Sequence, residues 1–356
     1  MATKCGVFHQ SYKSDMAIFQ TWFARVWMAL LFAWLLVFPF VAKPIGKALG
    51  TNLLYLANLI GIYIIGAQGL NILTGYTGQI SLGHGAFMGV GAYASGYFMT
   101  HLGMPFLACV VAAGCVTAIV GMIFGIPSLR LKGLYLAIAT LAAQVILEFV
   151  FVRWRTVTGG SQGMLVPPAN IGGLTFNSDF KFYFLALAFT ILTVMFAKNI
   201  VRTKPGRAFM AIRDRYISAE IIGVPLFQYK LISFGISSFY AGIAGSLWAH
   251  YIGIITPEHF NVMISIQYLS MIIIGGLGSI HGTIMGAIFM TLLPEALRLI
   301  SGLFSNQYPV LVNIFGAIRE SVFGLVIILF LIFEPDGLAA RWKTIQNYWK
   351  LWPFSY

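Results

Sequence analysis

The chain has 356 residues, of which 59% are hydrophobic and 9% are charged, and its formal net charge is +12. A soluble domain has about 25% charged residues, so this composition excludes a soluble globular protein. In lipid every backbone amide needs a partner within the chain, and apolar runs of roughly 20 residues satisfy this as membrane-crossing helices. The short alternating segments of an outer-membrane barrel are absent. The composition therefore predicts an all-α integral membrane protein.

Hydropathy along the chain predicts a polytopic bundle of about ten transmembrane helices. In chain order they lie at residues 26–42, 53–74, 81–99, 104–126, 133–152, 181–198, 231–253, 263–279, 282–299 and 310–333. The third and ninth are rich in glycine and only mildly hydrophobic, which makes them candidates for broken or re-entrant segments. The first lacks a cleavage site after its apolar run, so we expect it to be retained as a span.

The distribution of Lys and Arg predicts the orientation. An even number of spans places both termini on the same side of the membrane as the loop at 199–230. Most Lys and Arg residues lie in segments on this side, and the positive-inside rule therefore assigns it to the cytoplasm. We therefore expect a cytoplasmic segment at 1–25, a transmembrane domain at 26–338 and a cytoplasmic tail at 339–356. The basic residues are scattered, so anionic lipid headgroups explain the charge and no nucleic acid is required.

A glycine-rich stretch at 75–96, GYTGQISLGHGAFMGVGAYASG, contains polar residues in a membrane segment. Gly85 and Gly89 allow helices to approach closely. Gln79, Ser81 and His84 must find partners inside the bundle or face a water-filled path, because exposure to lipid is costly. Either they are satisfied within the bundle, or they line a translocation path.

Glu148 lies near the predicted outer end of the fifth span, with Arg153 and Arg155 shortly after it. One interpretation is an interfacial ion pair, and the other is that Glu148 lines the entrance of a pore. The loop at 153–180 is dense in Gly, Pro, Asn and Ser, which favours exposed irregular structure. It is either a connector or a contact for an external protein that delivers substrate.

The segment 205–230 is basic and polar, and it precedes the apolar run at 231–253. Its charges must face water, and its length accommodates one or two short helices lying along the membrane surface. Gly223 and Pro225 predict the end of such a helix. This is the natural place for a soluble partner to bind.

A second glycine-rich segment, GGLGSIHGTIMGAIF at 275–289, repeats part of the first. His281, Gly282 and Gly286 occupy the positions that correspond to His84, Gly85 and Gly89. We expect Gly282 and Gly286 to mediate helix packing and His281 to be a further candidate for the path. The match indicates two related halves about a central pathway, or it is a coincidence.

No catalytic motif is present in the chain. It contains neither a P-loop nor H-E-x-x-H, G-x-S-x-G or C-x-x-C, and its histidines have no metal-ligand spacing. We expect no catalytic residue, metal or cofactor in this chain, so its energy comes from another protein or from an ion gradient. Three classes remain open: a transport subunit driven by a partner, a stand-alone secondary transporter or channel, and a membrane-embedded enzyme or assembly factor. The small number of ionisable groups within the spans disfavours the second class.

Four segments together resemble the LivM-type permeases of branched-chain amino acid ABC importers. They are GLNILTGYTGQISLGHGAFMGVGAYASG at 69–96, RAFMAIRDRYISAEIIGVPLFQYKLISFGISSFYAGIAGSL at 207–247, IIIGGLGSIHGTIMGAI at 272–288 and EPDGL at 334–338. The similarity extends in register from about residue 53 to residue 340.

The resemblance implies partners and a location. Such permeases lie in the bacterial inner membrane and pair with a second permease of the LivH type. Two cytoplasmic ATP-binding subunits drive the pair, and a periplasmic substrate-binding protein supplies the cargo. The implied substrates are leucine, isoleucine and valine, whereas related permeases carry urea, short amides or other amino acids.

The resemblance also places an ATPase-docking segment on the loop at 199–230. The residues that match its pattern are Ile212, Arg213, Asp214, Ala219, Glu220 and Gly223. The wider importer pattern, E-A-A followed by a glycine, is reduced here to AEIIG.

Overall fold

The computed structural model describes residues 22–128, 134–305, 321–322, 324–330, 332–334 and 336–351. The chain divides into two compact units, residues 1–54 and 55–356. In the first unit, α1 (Trp22–Leu49) is a long apolar helix that contains Pro39 and Pro44.

The other helices follow in chain order, and the label α2 includes the π-helical turn at its end. They are α2 (Leu53–Leu70, continued by the π-helical turn Asn71–Tyr76), α3 (His84–His101), α4 (Phe106–Ser128), α5 (Leu134–Arg153), α6 (Arg155–Thr158), α7 (Asp179–Arg202), α8 (Lys204–Ile221), α9 (Leu226–Ile252), α10 (Val262–Gly275), α11 (Ile280–Ser305) and α12 (Gly337–Leu351). Residues 321–322, 324–330 and 332–333 are also helical.

In the part of the chain that the structure describes, 7 helices are long and apolar enough to cross a membrane. They cover residues 25–47, 53–76, 106–127, 135–153, 179–202, 226–252 and 280–299. The fold is therefore that of an all-helical, polytopic membrane protein, as the composition predicted.

Three of the predicted spans, the third, the eighth and the tenth, are not among these seven. The predicted third span corresponds to α3, which begins at His84 after a non-helical stretch at 77–83. The predicted eighth span corresponds to α10, which has 14 residues. At about 1.5 Å per residue it is about 21 Å long, shorter than the hydrocarbon core of about 30 Å. The predicted ninth span belongs to α11, which is continuous from Ile280 to Ser305. The tenth, at 310–333, lies largely outside the described residues.

The core of the second unit forms where α9 packs against α3 and α4. Small residues allow these helices to approach closely. A methyl group added at Gly91 would lie 2.3 Å from the Cα of Gly242, and one added at Gly245 would lie 1.9 Å from the carbonyl oxygen of Met88. Close packing through small residues is the usual way in which helices associate in membranes. It also explains how α3 is retained in the bundle despite its modest hydropathy.

The loop at 153–180, predicted to be irregular, is partly ordered. It contains α6, a 3-10 turn at Gly160–Gln162 and three short strands: β1 (Met164–Leu165), β2 (Asn170–Ile171) and β3 (Leu174–Thr175). Strand β1 pairs with β4 (Ile254–Ile255), which follows α9. Strands β2 and β3 form a hairpin closed by two glycines with φ of 57° and 89°, the Gly-Gly signal of a tight hairpin turn.

Candidate functional site

The water-facing segment between α7 and α9 folds as one kinked helix. Helix α8 bends at Arg215, whose backbone is non-helical at φ −153° and ψ 89°. At its end, Gly223 has φ 88° and its N–H donates to the carbonyl oxygen of Glu220 at 3.0 Å. The N–H of Val224 donates to the carbonyl oxygen of Ala219, also at 3.0 Å. This pair of bonds terminates helices at a left-handed glycine, so the predicted helix end at Gly223 is confirmed.

The residues that matched the docking pattern lie on two faces of α8. Ile212 and Ala219 are buried against the rest of the second unit, whereas Asp214 and Glu220 are exposed. Ile212 and Ala219 therefore hold the segment on the helix bundle, and only the exposed face is available to a partner.

The exposed face also carries an apolar cluster that the sequence analysis did not single out. It consists of Tyr216, Ile217, Ile221 and Ile222, of which Ile221 is 80% exposed and Ile222 76%. Exposed apolar side chains are ordinary where a helix meets lipid, but here they lie among charged residues in a segment of polar composition. A contiguous apolar patch in such a setting indicates a contact surface. The sequence signal was the pairs YI and II within an otherwise polar helix.

Arg213 points away from this face, toward the helix ends beneath it. Its Nη1 donates to the carbonyl oxygen of Gly75 at 2.9 Å, and its Nε donates to Oδ1 of Asp214 at 3.0 Å. Gly75 belongs to the π-helical turn that ends α2. The guanidinium therefore joins the α8 segment to the end of a membrane span.

Gln79 and Ser81 are buried and have partners inside the bundle. Gln79 Nε2 donates to Oγ of Ser233 on α9 at 2.8 Å, and Oγ of Ser81 accepts from the N–H of Gly83 at 3.4 Å. They satisfy one donor of Gln79 and the hydroxyl of Ser81, whereas Gln79 Oε1 has no hydrogen-bond partner among the described residues. In the described conformation neither residue reaches a cavity that the structure outlines.

His84, the first residue of α3, is buried in a row of aromatic rings. Its ring lies edge-on to Tyr268 with a centroid separation of 5.0 Å, and Tyr268 lies edge-on to Tyr63 at 5.7 Å. Among the described residues, none gives His84 Nε2 a hydrogen bond. We call Tyr63, Tyr268 and His84 the aromatic column. It places one residue predicted to line the path in contact with α2 and α10.

A cavity of about 420 Å³ opens at the end of this column. Tyr63 and Met88 line it beside the column, and its rim includes Trp248, Glu258 and His259. The Glu258 carboxylate supplies negative charge at the rim, and the aromatic and aliphatic walls supply an apolar surface.

The other two candidates for the path lie elsewhere. Glu148 is half-buried on α5, and His281 is exposed in the first turn of α11. Neither lines the cavity. The structure therefore brings together only His84 from the predicted set with the cavity and its aromatic column.

The four glycines assigned to helix packing all lie at close approaches. A methyl group added at Gly85, Gly89, Gly282 or Gly286 would come within 3.0 Å of a neighbouring atom. The two histidine-glycine motifs also start helices, α3 and α11. Their surroundings differ, because α3 packs on α9 and α4 whereas α11 packs mainly on α10.

Gln144 is an important residue that the sequence analysis missed. Its Oε1 accepts from the N–H of Ala86 at 2.8 Å, and its Nε2 donates to the carbonyl oxygen of Phe260 at 2.5 Å. Ser265 Oγ accepts from the N–H of Gly85 at 2.7 Å and donates to Gln144 Oε1 at 3.2 Å. The first amides of a helix have no partner within it, so these side chains satisfy the start of α3 inside the bundle. The available signal was a single glutamine in an apolar span.

These features define a polytopic helical membrane protein with an exposed apolar cluster on a polar segment and a cavity at the other end of its spans. A family described as "Branched-chain amino acid transport system / permease component" matches residues 52–331. The chain belongs to this family.

Several curated relatives agree with this assignment. The chain is 30% identical over 307 residues to the "High-affinity branched-chain amino acid transport system permease protein LivM" of Salmonella typhimurium, covering 80% of this chain and 69% of the relative. It is 30% identical over 322 residues to LivM of Escherichia coli, covering 84% and 72%. It is 24% identical over 299 residues to the permease LivH of Salmonella typhimurium, covering 78% and 91%. No solved structure matches the chain.

Proposed function

We propose that the chain is the LivM-type permease subunit of an ATP-driven importer that carries leucine, isoleucine and valine across the bacterial inner membrane. The observation that carries the proposal is the family match over residues 52–331, together with relatives that are named as branched-chain amino acid permeases. Urea, short amides and other amino acids are the alternative cargoes. The proposed topology retains about ten spans and cytoplasmic termini, with the segments 1–25 and 339–356 on that side.

The importer contains further subunits. The chain pairs with a second permease of the LivH type, two cytoplasmic ATP-binding subunits and a periplasmic substrate-binding protein. Similarity to both LivM and LivH proteins supports a permease pair. ATP binds to the partner subunits, so this chain needs no cofactor of its own.

The ATP-binding subunit docks on the exposed face of α8. The apolar cluster supplies the contact, with Asp214 and Glu220 at its edge, while Ile212, Ala219 and the turn at Gly223 hold the segment in shape. Burying such apolar area stabilises a complex by about 25 cal/mol per Å² before the costs of association. If α8 were only a helix on the membrane surface, the same apolar side chains would instead insert into the lipid. Loss or retention of the ATP-binding subunits in variants of this cluster distinguishes docking from lipid contact.

The substrate path begins at the cavity beside the aromatic column. Substrate released by the binding protein reaches the rim at Trp248, Glu258 and His259. The aromatic column then blocks its further passage. A weakly polar cavity suits a permease, because tight binding would slow release.

The test is purification of the tagged chain in mild detergent, with every stoichiometric partner identified. Wild-type protein should carry two ATP-binding subunits and a second permease. Ile217→Asp with Ile221→Asp, and separately Asp214→Arg with Glu220→Arg, should remain in the membrane and lose the ATP-binding subunits. Leu174→Asp is the matched control, since Leu174 is 68% exposed on the strand-containing outer loop.

Normal association in both double variants would refute docking at this face. A chain that purifies alone and transports solute in liposomes without ATP would be a secondary transporter. Uptake of labelled leucine by the complete complex, competed by isoleucine and valine and not by urea or acetamide, would establish the proposed cargo; the reverse competition would reject it.

A further inference from the structure

The side chain of Arg213 lies in a slot formed by three glycines. A methyl group added at Gly78 would lie 3.2 Å from its Cγ, and one added at Gly278 would lie 2.7 Å from its Nη1. Together with the bond from Nη1 to the carbonyl oxygen of Gly75, these contacts line one side of the Arg213 side chain, of which 39% remains exposed. The carbonyl groups that end a helix lack partners and carry partial negative charge, so a guanidinium is favourable there. Asp214 fixes its orientation by accepting from Nη2 at 2.9 Å.

The same slot joins two membrane helices to each other. Oδ1 of Asn71, in the π-helical turn of α2, accepts from the N–H of Gly278 at 2.9 Å. Nδ2 of Asn71 donates to the carbonyl oxygen of Ser279 at 3.3 Å, and Nε2 of Gln68 donates to that of Ile280 at 2.9 Å. Gln68 and Asn71 are fully buried. The loop between α10 and α11 is therefore fastened to the end of α2, and Arg213 lies across this junction.

The slot and the cavity lie at opposite ends of the same helices. Helix α2 with its π-helical turn has 24 residues, about 36 Å at the rise of an α-helix. Its first half contributes Tyr55 and Tyr63 to the cavity, and its last turn contains Gly75. Helix α10 starts beside the cavity and ends at Gly275, next to the slot. A π-helical turn has weaker hydrogen-bond geometry and is frequent at functional sites, so it is a suitable place for α2 to change shape.

We propose that Arg213 is a coupling latch that transmits movement of α8 to α2 and α10, and thereby to the aromatic column. The inference rests on the proposed function, because the movement is supplied by ATP-binding subunits docked on α8. It assigns different tasks to neighbouring residues: the apolar cluster holds the partner, and Arg213 carries the displacement inward. Arg213 acts through the helix ends and touches no substrate, so it is a positioning residue.

The experiment compares Arg213→Ala, Arg213→Lys and Lys343→Ala in the complete importer, reconstituted in liposomes with its binding protein. Retained ATP-binding subunits, ATP hydrolysis and leucine uptake are measured on the same preparations. In Arg213→Ala we expect the subunits to be retained and hydrolysis to continue, with leucine uptake per ATP reduced about tenfold, a typical size for an allosteric coupling. Arg213→Lys keeps the charge and the stem but lacks the forked donors that reach Gly75 and Asp214 together, so it should show a partial loss. Lys343→Ala, at an exposed basic residue of α12 outside the docking face, should couple normally.

Wild-type coupling in Arg213→Lys or in Arg213→Ala would overturn the latch. Loss of the ATP-binding subunits from these variants would also overturn it, because Arg213 would then be a docking contact. If Arg213→Ala fails to reach the membrane, Arg213→Lys decides the question. If the wild-type chain itself carries no ATP-binding subunits, the proposed function fails and the latch fails with it. If the wild-type chain carries these subunits and the Arg213 variants couple as well as the wild type, only the latch fails and the proposed function stands.

Discussion

The ring of Tyr268 closes the space between His84 and Tyr63, with its centroid 5.0 Å from His84 and 5.7 Å from Tyr63. It can do so because residue 66 on α2 is a glycine: a methyl group added there would lie 2.6 Å from Cε1 of Tyr268. Its hydroxyl donates to Sδ of Met88 at 3.4 Å. Three helices thus meet at one tyrosine between the cavity and the interior of the bundle.

The first prediction separates the ring of Tyr268 from its hydroxyl. Tyr268→Phe removes a weak bond to sulfur and should change stability by less than about 1 kcal/mol. Tyr268→Ala removes a fully buried ring and should destabilise the protein by about 3–5 kcal/mol. It should also let leucine leak through liposomes without ATP. Thermal unfolding in detergent and tracer efflux measure the two effects. A folded Tyr268→Ala protein that shows no leucine efflux without ATP would mean that the aromatic column is not the barrier.

The second prediction concerns the polar start of α3. Gln144→Leu leaves the N–H of Ala86 and the carbonyl oxygen of Phe260 without their partner, and each unsatisfied buried group costs about 1–3 kcal/mol. We expect a large drop in the unfolding temperature. Gln144→Glu keeps the acceptor for the N–H of Ala86, so its unfolding temperature should fall less than that of Gln144→Leu. Equal unfolding temperatures for Gln144→Leu and Gln144→Glu would contradict the role of Gln144 at the start of α3.

The sequence predicted those features of the fold that depend on local chemistry. Seven of the predicted apolar runs correspond to helices long and apolar enough to cross a membrane, and Gly223 with Pro225 ends α8 by rules that involve only neighbouring residues. Gly172 and Gly173 formed an equally local signal for the β2–β3 hairpin, which the sequence analysis did not use.

Long-range contacts could not be predicted in the same way. Arg213 and Gly75 are 138 positions apart, and only the packed fold brings a surface arginine to a helix end. The pairing of Met164 with Ile255 joins two loops that look irregular when considered alone. The bond from Gln79 to Ser233 likewise joins residues 154 positions apart.

The third prediction tests the close approaches of α3. Gly85→Leu would press a side chain against the carbonyl oxygen of Asn261, 3.0 Å from the position of a Cβ. Overpacking of this kind typically costs about 1–3 kcal/mol. A leucine side chain is larger than a single methyl group and should destabilise the protein more. We expect reduced expression and uptake.

Gly324→Leu is the matched control for Gly85→Leu. Gly324 lies in a helical stretch, and no atom of the described residues lies within 4 Å of its Cβ position. Equal damage from both substitutions would indicate a general intolerance of leucine in place of glycine. Normal behaviour of Gly85→Leu would mean that α3 can shift to accommodate the side chain.

The last prediction is a pH dependence at the rim of the cavity. His259 Nδ1 accepts from the N–H of Thr256 at 3.3 Å, which closes the turn Pro257–Phe260. Burial lowers the pKa of the His259 imidazole from its ordinary value of 6.5, and the Glu258 carboxylate opposes this shift. Because the pKa is lower in the folded protein, His259 stabilises the fold above its ordinary pKa. That stabilisation is lost as the pH falls through the lowered value, where a protonated Nδ1 can no longer accept.

Wild-type protein should therefore lose thermal stability on acidification from about pH 7 to pH 5. His259→Gln should flatten this dependence, since glutamine provides an acceptor at the same capping position without titrating. Glu258→Gln, measured alongside, removes the opposing carboxylate and should shift the wild-type transition to lower pH. An unchanged acid transition in His259→Gln would assign the effect to another group and leave the rim independent of His259.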